Sequence, residues 1–293
     1  MIGRIIAVLC ILMTTVTPTV QSNEVEITAV PVAAQIYMLS GEGGNIGLFI
    51  GDDGTFLIDD QFAPLTEKIV AAIKSVGGDF PKFLINTHYH GDHTGGNENL
   101  GQGGTLIFSH DNVRERLSTG SFIEAFNMKR EAMPREGLPV VTFSADISFH
   151  LNGESLSAIH VPHAHTDGDS FIYFKKANVI HAGDIFFNGF YPFIDVTHGG
   201  SLKGMIKAAD KILSLADDKT KIIPGHGPMG DKAKLAGYRQ MLRTAYERLR
   251  KLKAEGKTAQ EAVAAKPLAD LEGTWGDGIF NGDRWIEIIY AGV

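Results

Sequence analysis

Three histidines and an aspartate fall within six residues of Thr87-His88-Tyr89-His90-Gly91-Asp92-His93-Thr94-Gly95-Gly96. If the first part is extended, His88 and His90 project to one side, because side chains alternate along a strand, and both can grip one ion. Gly91 then lets the chain bend, so that Asp92 and His93 face a neighbouring ion. Imidazole nitrogen with carboxylate oxygen suits zinc, and also iron or manganese, better than calcium or magnesium. Packing so many polar groups together without an ion to compensate them would be costly.

Other residues of the same types follow apolar, strand-like segments. Ser157-Ala158-Ile159 precedes His160 to His165, Asn178-Val179-Ile180 precedes Asp184, and Lys221-Ile222-Ile223 precedes His226. Ligands gathered at strand ends are what an α/β sheet provides, since its crevice lies off those ends. The first segment resembles the HxHxDH signature of the metallo-β-lactamase superfamily. His165, in His163-Ala164-His165-Thr166-Asp167-Gly168-Asp169, Asp184, in Ala182-Gly183-Asp184, and His226, in Pro224-Gly225-His226-Gly227, match its later motifs in order and approximate spacing. The resemblance covers roughly Val25 to Tyr246. It implies an α+β fold, a four-layer αβ/βα sandwich with the metal site at one edge of the sheets. It also implies that His88, His90 and His165 hold one zinc, that Asp92, His93 and His226 hold a second, and that Asp184 bridges the pair. The Thr-Asp-Gly that follows it favours His165 over His163. Asp59, after Phe56-Leu57-Ile58, matches the family's early Asp, which orients the ligand loop through hydrogen bonds.

The implied chemistry is hydrolysis by a metal-bridging hydroxide, with Asp92 orienting the nucleophile and carrying its proton. No Ser or Cys nucleophile is needed, and no Gly-x-Ser-x-Gly elbow is present. The expected substrate is a cyclic amide, a β-lactam above all. A lactone, thioester or other ester is the alternative within the fold, and a non-haem iron oxidoreductase resembling the persulfide dioxygenases is the alternative outside hydrolysis. Many β-lactamases of the first subclass place Cys where this chain has Asp184 and Lys where it has Phe187, so an anionic substrate needs another partner here. The aromatics Phe186, Phe187, Phe190, Tyr191 and Phe193 are broken by Asn188-Gly189 and Pro192 into a loop. That loop is expected to leave some rings at the mouth as an apolar wall, with Phe187 and Tyr191 as candidate substrate contacts and His198 as a third.

The 293 residues carry 27 Lys plus Arg, 34 Asp plus Glu, one Cys and 44% hydrophobic residues. That composition excludes a disordered chain or a disulfide scaffold, and a formal charge of -7 argues against nucleic-acid binding. A small-molecule substrate is expected, and the oligomeric state is left open. Arg4, the apolar run Ile5 to Met13 and the small residues of Val20-Gln21-Ser22 read as a signal peptide over residues 1–22. The run is too short to span a bilayer, which needs roughly 20 residues. The mature chain, 23–293, is therefore expected to be exported to a bacterial periplasm as one hydrolase domain, with a helical extension from about Gly256. Strands are expected at Val25–Thr28, Ile36–Leu39, Gly47–Ile50, Phe56–Ile58 and Phe83–Ile85. Helices are expected at Pro64–Val76, Ser201–Leu215, Asp231–Glu255 and Ala259–Ala265. The tail after Gly256, with Trp275 and Trp285, either completes the core or covers the mouth.

Overall fold

Phe56-Leu57-Ile58 and Phe83-Leu84-Ile85 are apolar at every position because both of their faces are covered. The computed structural model describes residues 24–293, so the proposed signal peptide lies outside the described residues. One sheet contains β1 (Thr28–Ala33), β2 (Ile36–Ser40), β3 (Ile46–Phe49), β4 (Phe56–Ile58), β5 (Phe83–Ile85) and β6 (Leu106–His110). After a separate hairpin of β7 (Ser121–Ile123) and β8 (Met128–Arg130), β9 (Val141–Phe143) pairs at its far edge. The second sheet takes β10 (Ile147–Leu151), β11 (Glu154–His160), β12 (Ser170–Phe174), β13 (Val179–His181), β14 (Lys221–Ile223) and β15 (Gly230–Asp231) in sequence order. The helices are α1 (Thr66–Ser75), α2 (Gly91–Thr94), α3 (Asn97–Gln102), α4 (Asp111–Thr119), α5 (Leu202–Leu215), α6 (Lys232–Ala254), α7 (Ala259–Ala264), α8 (Glu272–Trp275) and α9 (Gly282–Ile289). None of them is long and apolar enough to cross a membrane.

Alternation along the strands builds four layers. Phe56, Ile58 and Ile85 of the first sheet meet Ile172, Phe174, Val179 and Ile223 of the second between the sheets. The intervening Leu57 and Leu84 point the other way, onto Ile69 and Ile73 of α1. On the second sheet, Ile180 and Ile222 turn outwards to α5, α6 and α9. Side chains two apart share a face, so a three-residue strand supplies two separate cores at once. Phe49 and Phe174 join the sheets edge to face, with centroids 5.4 Å apart.

Differences from the expected elements have local causes. The first strand begins at Thr28, not Val25, and runs through Pro31, which an edge strand tolerates because its outward N–H side needs no partner. The β7–β8 hairpin, α4 and the strands β9 and β10 carry weak periodicity and were not anticipated. The segment after Gly256 folds into three helices. Trp285 on α9 is fully buried, stacks on Tyr191 at 4.5 Å and donates its indole N–H to the Pro192 carbonyl at 2.6 Å. Trp285→Phe is therefore expected to cost about 1–3 kcal/mol in chemical denaturation, from the lost hydrogen bond and a small cavity. A loss under about 0.5 kcal/mol, the size of an ordinary surface substitution, would show that the tail is not part of the core.

The pairs β4–β5 and β13–β14 are each parallel. The chain leaves their carboxyl ends as loops that carry Asp59, Thr87 to His93, Asp184 and His226. Asn45 joins the two halves of this edge: its N–H donates to the Gly225 carbonyl at 2.7 Å, and its side-chain amide donates to the carbonyls of Pro224 and Gly227.

Candidate metal centre

The segment from Thr87 to His90 is not a strand. It bends, and His90 becomes the N-cap of the one-turn helix α2, which carries Asp92 and His93 round to His226. The two ligand pairs are therefore presented by a turn rather than by strand alternation. Asp59 stands at φ +63°, a left-handed conformation that Asp tolerates better than most residues. Its buried carboxylate accepts from the Thr87 N–H and the Thr87 hydroxyl, both at 2.7 Å, and so pins the start of the bend.

Two groups of donor atoms converge, each within 4.8 Å of one another: His88, His90, His165 and Asp184 in one, Asp92, His93 and His226 in the other. The carboxylate of Asp184 lies between them. Its Oδ2 is 3.7 Å from His88 Nε2, 3.4 Å from His165 Nε2 and 3.4 Å from His226 Nε2, while Oδ1 is 3.1 Å from His93 Nε2. His226 Nε2 is also 3.2 Å from Asp92 Oδ2 and 3.3 Å from His93 Nε2.

Hydrogen bonds on the opposite side of each ring decide which nitrogen faces the centre. His93 Nδ1 donates to Asp59 Oδ2 at 2.8 Å, and His165 Nδ1 donates to the Phe193 carbonyl at 2.8 Å, which turns both Nε2 atoms towards the centre. The Thr87 hydroxyl gives its proton to Asp59 and so accepts from His88 Nδ1 at 3.0 Å. His90 is reversed: Nε2 donates to Asp195 Oδ2 at 3.0 Å and Nδ1 points inwards, 2.8 Å from His165 Nε2. Such partners fix tautomer and orientation. His226 is held instead by stacking on Phe187, centroids 5.0 Å apart. Asp169 accepts from the backbone N–H groups of His165 and Thr166 and so shapes the loop under His165.

Electrostatics separates the two groups. Burial pushes His88, His90 and His165 below the ordinary histidine range, so they are neutral. Burial acts the same way on His93 and His226, but the carboxylates of Asp184 and Asp92 outweigh it, holding His93 well above the usual value and His226 up to about 9. Burial would raise Asp184, yet the surrounding imidazoles, His93 first, hold it well below the carboxylate range. His88 Nε2 and Asp184 Oδ1 are buried without a hydrogen-bond partner. Orphaned acceptors aimed into a cluster of five imidazoles and two carboxylates fit a pair of cations of the zinc, iron or manganese kind.

A pH dependence follows from these directions. A cation entering among Asp92, His93 and His226 must displace protons, because the raised pKa values keep those rings charged at pH 7. Filling that site should release protons at pH 7, with the release shrinking as pH passes about 9; the neutral rings His88, His90 and His165 should release few. Titration calorimetry in buffers of different ionisation enthalpy reads this directly. Equal release at both sites would contradict the charge assignment.

The remaining histidines and two of the expected substrate contacts lie elsewhere. His163 is outside the cluster and contacts the Gly199 carbonyl. His110 and His160 stack on each other at 3.7 Å, and His181 bonds to the Asn45 carbonyl. Tyr191, expected as a substrate contact, is instead fully buried: its ring stacks on Trp285 and its N–H donates to the Trp275 carbonyl at 2.9 Å. His198, expected to lie over the mouth, bonds through Nδ1 to Asp195 at 2.8 Å and does not line the cavity. Phe187 does line it. The residue not anticipated is Asp195, which accepts from Tyr89 at 2.5 Å as well as from His90 and His198. No motif spacing marks it, because its partners lie 105 and 106 residues upstream.

The centre opens into a cavity of about 330 Å³ lined by His90, Asp92, Asp184 and His226 at its base and by Phe62, Ile123, Phe126, Met128, Phe187, Phe193 and Ile279 on its walls, with Arg130 among them. Residues 39–226 match the family model of the metallo-beta-lactamase superfamily. The chain belongs to that superfamily. Curated relatives are distant members: the beta-lactamase-like protein 2 homolog of Caenorhabditis elegans is 26% identical over 188 residues, 62% of this chain and 56% of that protein. The match thus spans little more than half the length of the nematode protein. The probable metallo-hydrolase YqgX of Bacillus subtilis is 29% identical over 189 residues, 60% of this chain and 85% of that one. Among solved structures, a metallo-beta-lactamase of Cronobacter sakazakii with an HARLDQ motif superposes with a TM-score of 0.64 at 19% identity, covering 80% of this chain and 97% of that one. FIM-1 from Pseudomonas aeruginosa, in its mono-zinc form, gives 0.61 at 18% identity, with coverage of 77% and 98%. At such identities the superpositions show the fold alone, the four-layer arrangement of mixed sheets and helices.

Proposed function

We propose that this superfamily member is a dinuclear zinc hydrolase that opens a β-lactam. The observation that carries the reading is the placement of Asp184, whose two oxygens face both donor groups at once. The proposed ligands are His88, His90 and His165 for one cation and Asp92, His93 and His226 for the other, with Asp184 shared. Two bound cations would supply Lewis acidity, lowering the pKa of a water from about 15.7 towards about 7 and polarising a carbonyl.

The chain's own groups do the rest. Asp59, Thr87, Asp195 and the Phe193 carbonyl hold the rings with their lone pairs inwards. Asp92, the more exposed of the two clustered carboxylates, orients the attacking water, takes its proton and returns it to the leaving nitrogen. A carbon–oxygen bond forms and the amide carbon–nitrogen bond breaks. Phe187 and Phe193 exclude bulk water from the base of the cavity.

Export, proposed from the amino-terminal apolar run, favours a β-lactam over a glutathione thioester. The apolar walls support a second reading, hydrolysis of a lactone carrying an acyl chain. A panel of nitrocefin, a carbapenem, an acyl-homoserine lactone and S-lactoylglutathione, run beside metal analysis, tests both. Two zinc ions per chain and turnover of the β-lactams are expected. Turnover of the lactone alone would replace the first reading by the second. One iron per chain with oxygen consumption would overturn both.

A further inference from the structure

Arg130 closes the β7–β8 hairpin and is the single cationic lysine or arginine among the residues lining the cavity. Its guanidinium lies against the backbone of Gly91, the residue between His90 and Asp92: a Cβ placed on Gly91 would fall 1.3 Å from Arg130 Nη1. Among the described residues its charge is influenced by Asp92 and Tyr89, but none gives it a hydrogen bond, and burial pulls its pKa below the arginine range. A partly buried guanidinium without a bonded partner is costly, and a carboxylate arriving with a ligand would satisfy it through two charge-assisted bonds.

What surrounds Arg130 is apolar and open. Phe126, Met128 and Ile279 are 44%, 39% and 50% exposed, and they rim the same cavity. Phe126 packs on Phe193 at 4.9 Å and on Phe280 at 5.8 Å, so the hairpin and the segment before α9 together form one wall. Contiguous exposed apolar side chains around a single cation, above a polar catalytic base, mark a ligand groove.

We propose that Arg130 binds one carboxylate on an otherwise apolar substrate and so sets the specificity of the centre, the third residue after Asp184 being the uncharged Phe187. The inference rests on the hydrolase reading, but part of its test does not need turnover. Zinc-loaded full-length protein, Arg130→Met and Arg130→Lys would be compared, with metal content and near-ultraviolet circular dichroism verifying the fold. The first readout is the ratio of kcat/KM for nitrocefin to that for its methyl ester. The second is the ratio of calorimetric affinities for 4-phenylbutyrate and 4-phenylbutanamide.

The unaltered protein should prefer each acid. Arg130→Met should lower both preferences by at least about tenfold, and Arg130→Lys should keep part of them, because it retains charge without the bidentate fork. A preference for the acids that persists in Arg130→Met would show that the cations alone receive the carboxylate and would overturn the proposal, as would the absence of any preference in the unaltered protein. Lack of turnover on every substrate would count against the hydrolase reading, while the phenylbutyrate arm would still decide the role of Arg130.

Discussion

Asp184→Ala is expected to lower kcat/KM by at least about a hundredfold and to leave the protein with one tightly held cation rather than two, a loss at the upper end of that for disturbed metal sites. The reason is geometric: one carboxylate faces Nε2 atoms of His88, His93, His165 and His226, so its removal takes a ligand from both groups. It also leaves His93 and His226 without the nearest counter-charge that holds their pKa values up. Metal content by mass spectrometry and steady-state kinetics on the active substrate of the panel read the two effects separately. Asp184→Asn, which keeps the shape but not the charge, should fall between the two. Two cations and undiminished turnover in Asp184→Ala would remove the basis of the proposed function.

The second large effect concerns a residue that touches no proposed cation. Asp195→Ala should weaken the cation held by His88, His90 and His165 about 10–100-fold and lower stability by about 1–3 kcal/mol for each donor left unsatisfied. Its Oδ2 accepts from Tyr89, His90 and His198, and only the bond to His90 Nε2 keeps Nδ1 free to face the centre. Asp195→Asn should be milder in metal affinity. Its carbonyl oxygen can still accept from His90, but the amide N–H groups then meet the His198 N–H, which Oδ1 accepts now. A competition titration against a chromophoric chelator gives the affinities and urea denaturation gives the stability. Equal affinity in Asp195→Ala and the unaltered protein would show that the ring orientation is set by packing alone.

These two residues differ in how visible they are in the chain. Asp184 follows an apolar strand and sits in Gly183-Asp184, so residue type and position both point to it. Asp195 follows Tyr191-Pro192-Phe193-Ile194, and nothing local separates it from any polar residue ending an apolar stretch. Tyr191 and His198 show the same limit from the other side. An aromatic and an imidazole near a site loop read as candidate contacts, yet one is turned into the core beside Trp285 and the other is spent on Asp195. Residues 97–156 were the least legible part of the chain. Their strands and helices are short, and the hairpin they contain pairs with neither sheet.

The amino-acid order by itself determined the chemistry on offer: five imidazoles and two carboxylates at strand-terminal positions, on apolar segments whose period of two demands cover on both faces. Those features are local, because donor type, turn glycines and alternation are properties of a few consecutive residues. Tertiary structure alone decided which nitrogen of each ring faces inwards and which cation rims the cavity. Each of those depends on contacts between segments up to about a hundred residues apart, such as His90 with Asp195 and Gly91 with Arg130. A hydrogen bond or a desolvated charge acquires its energy from its partner and its burial, and both exist only once the sheets have packed.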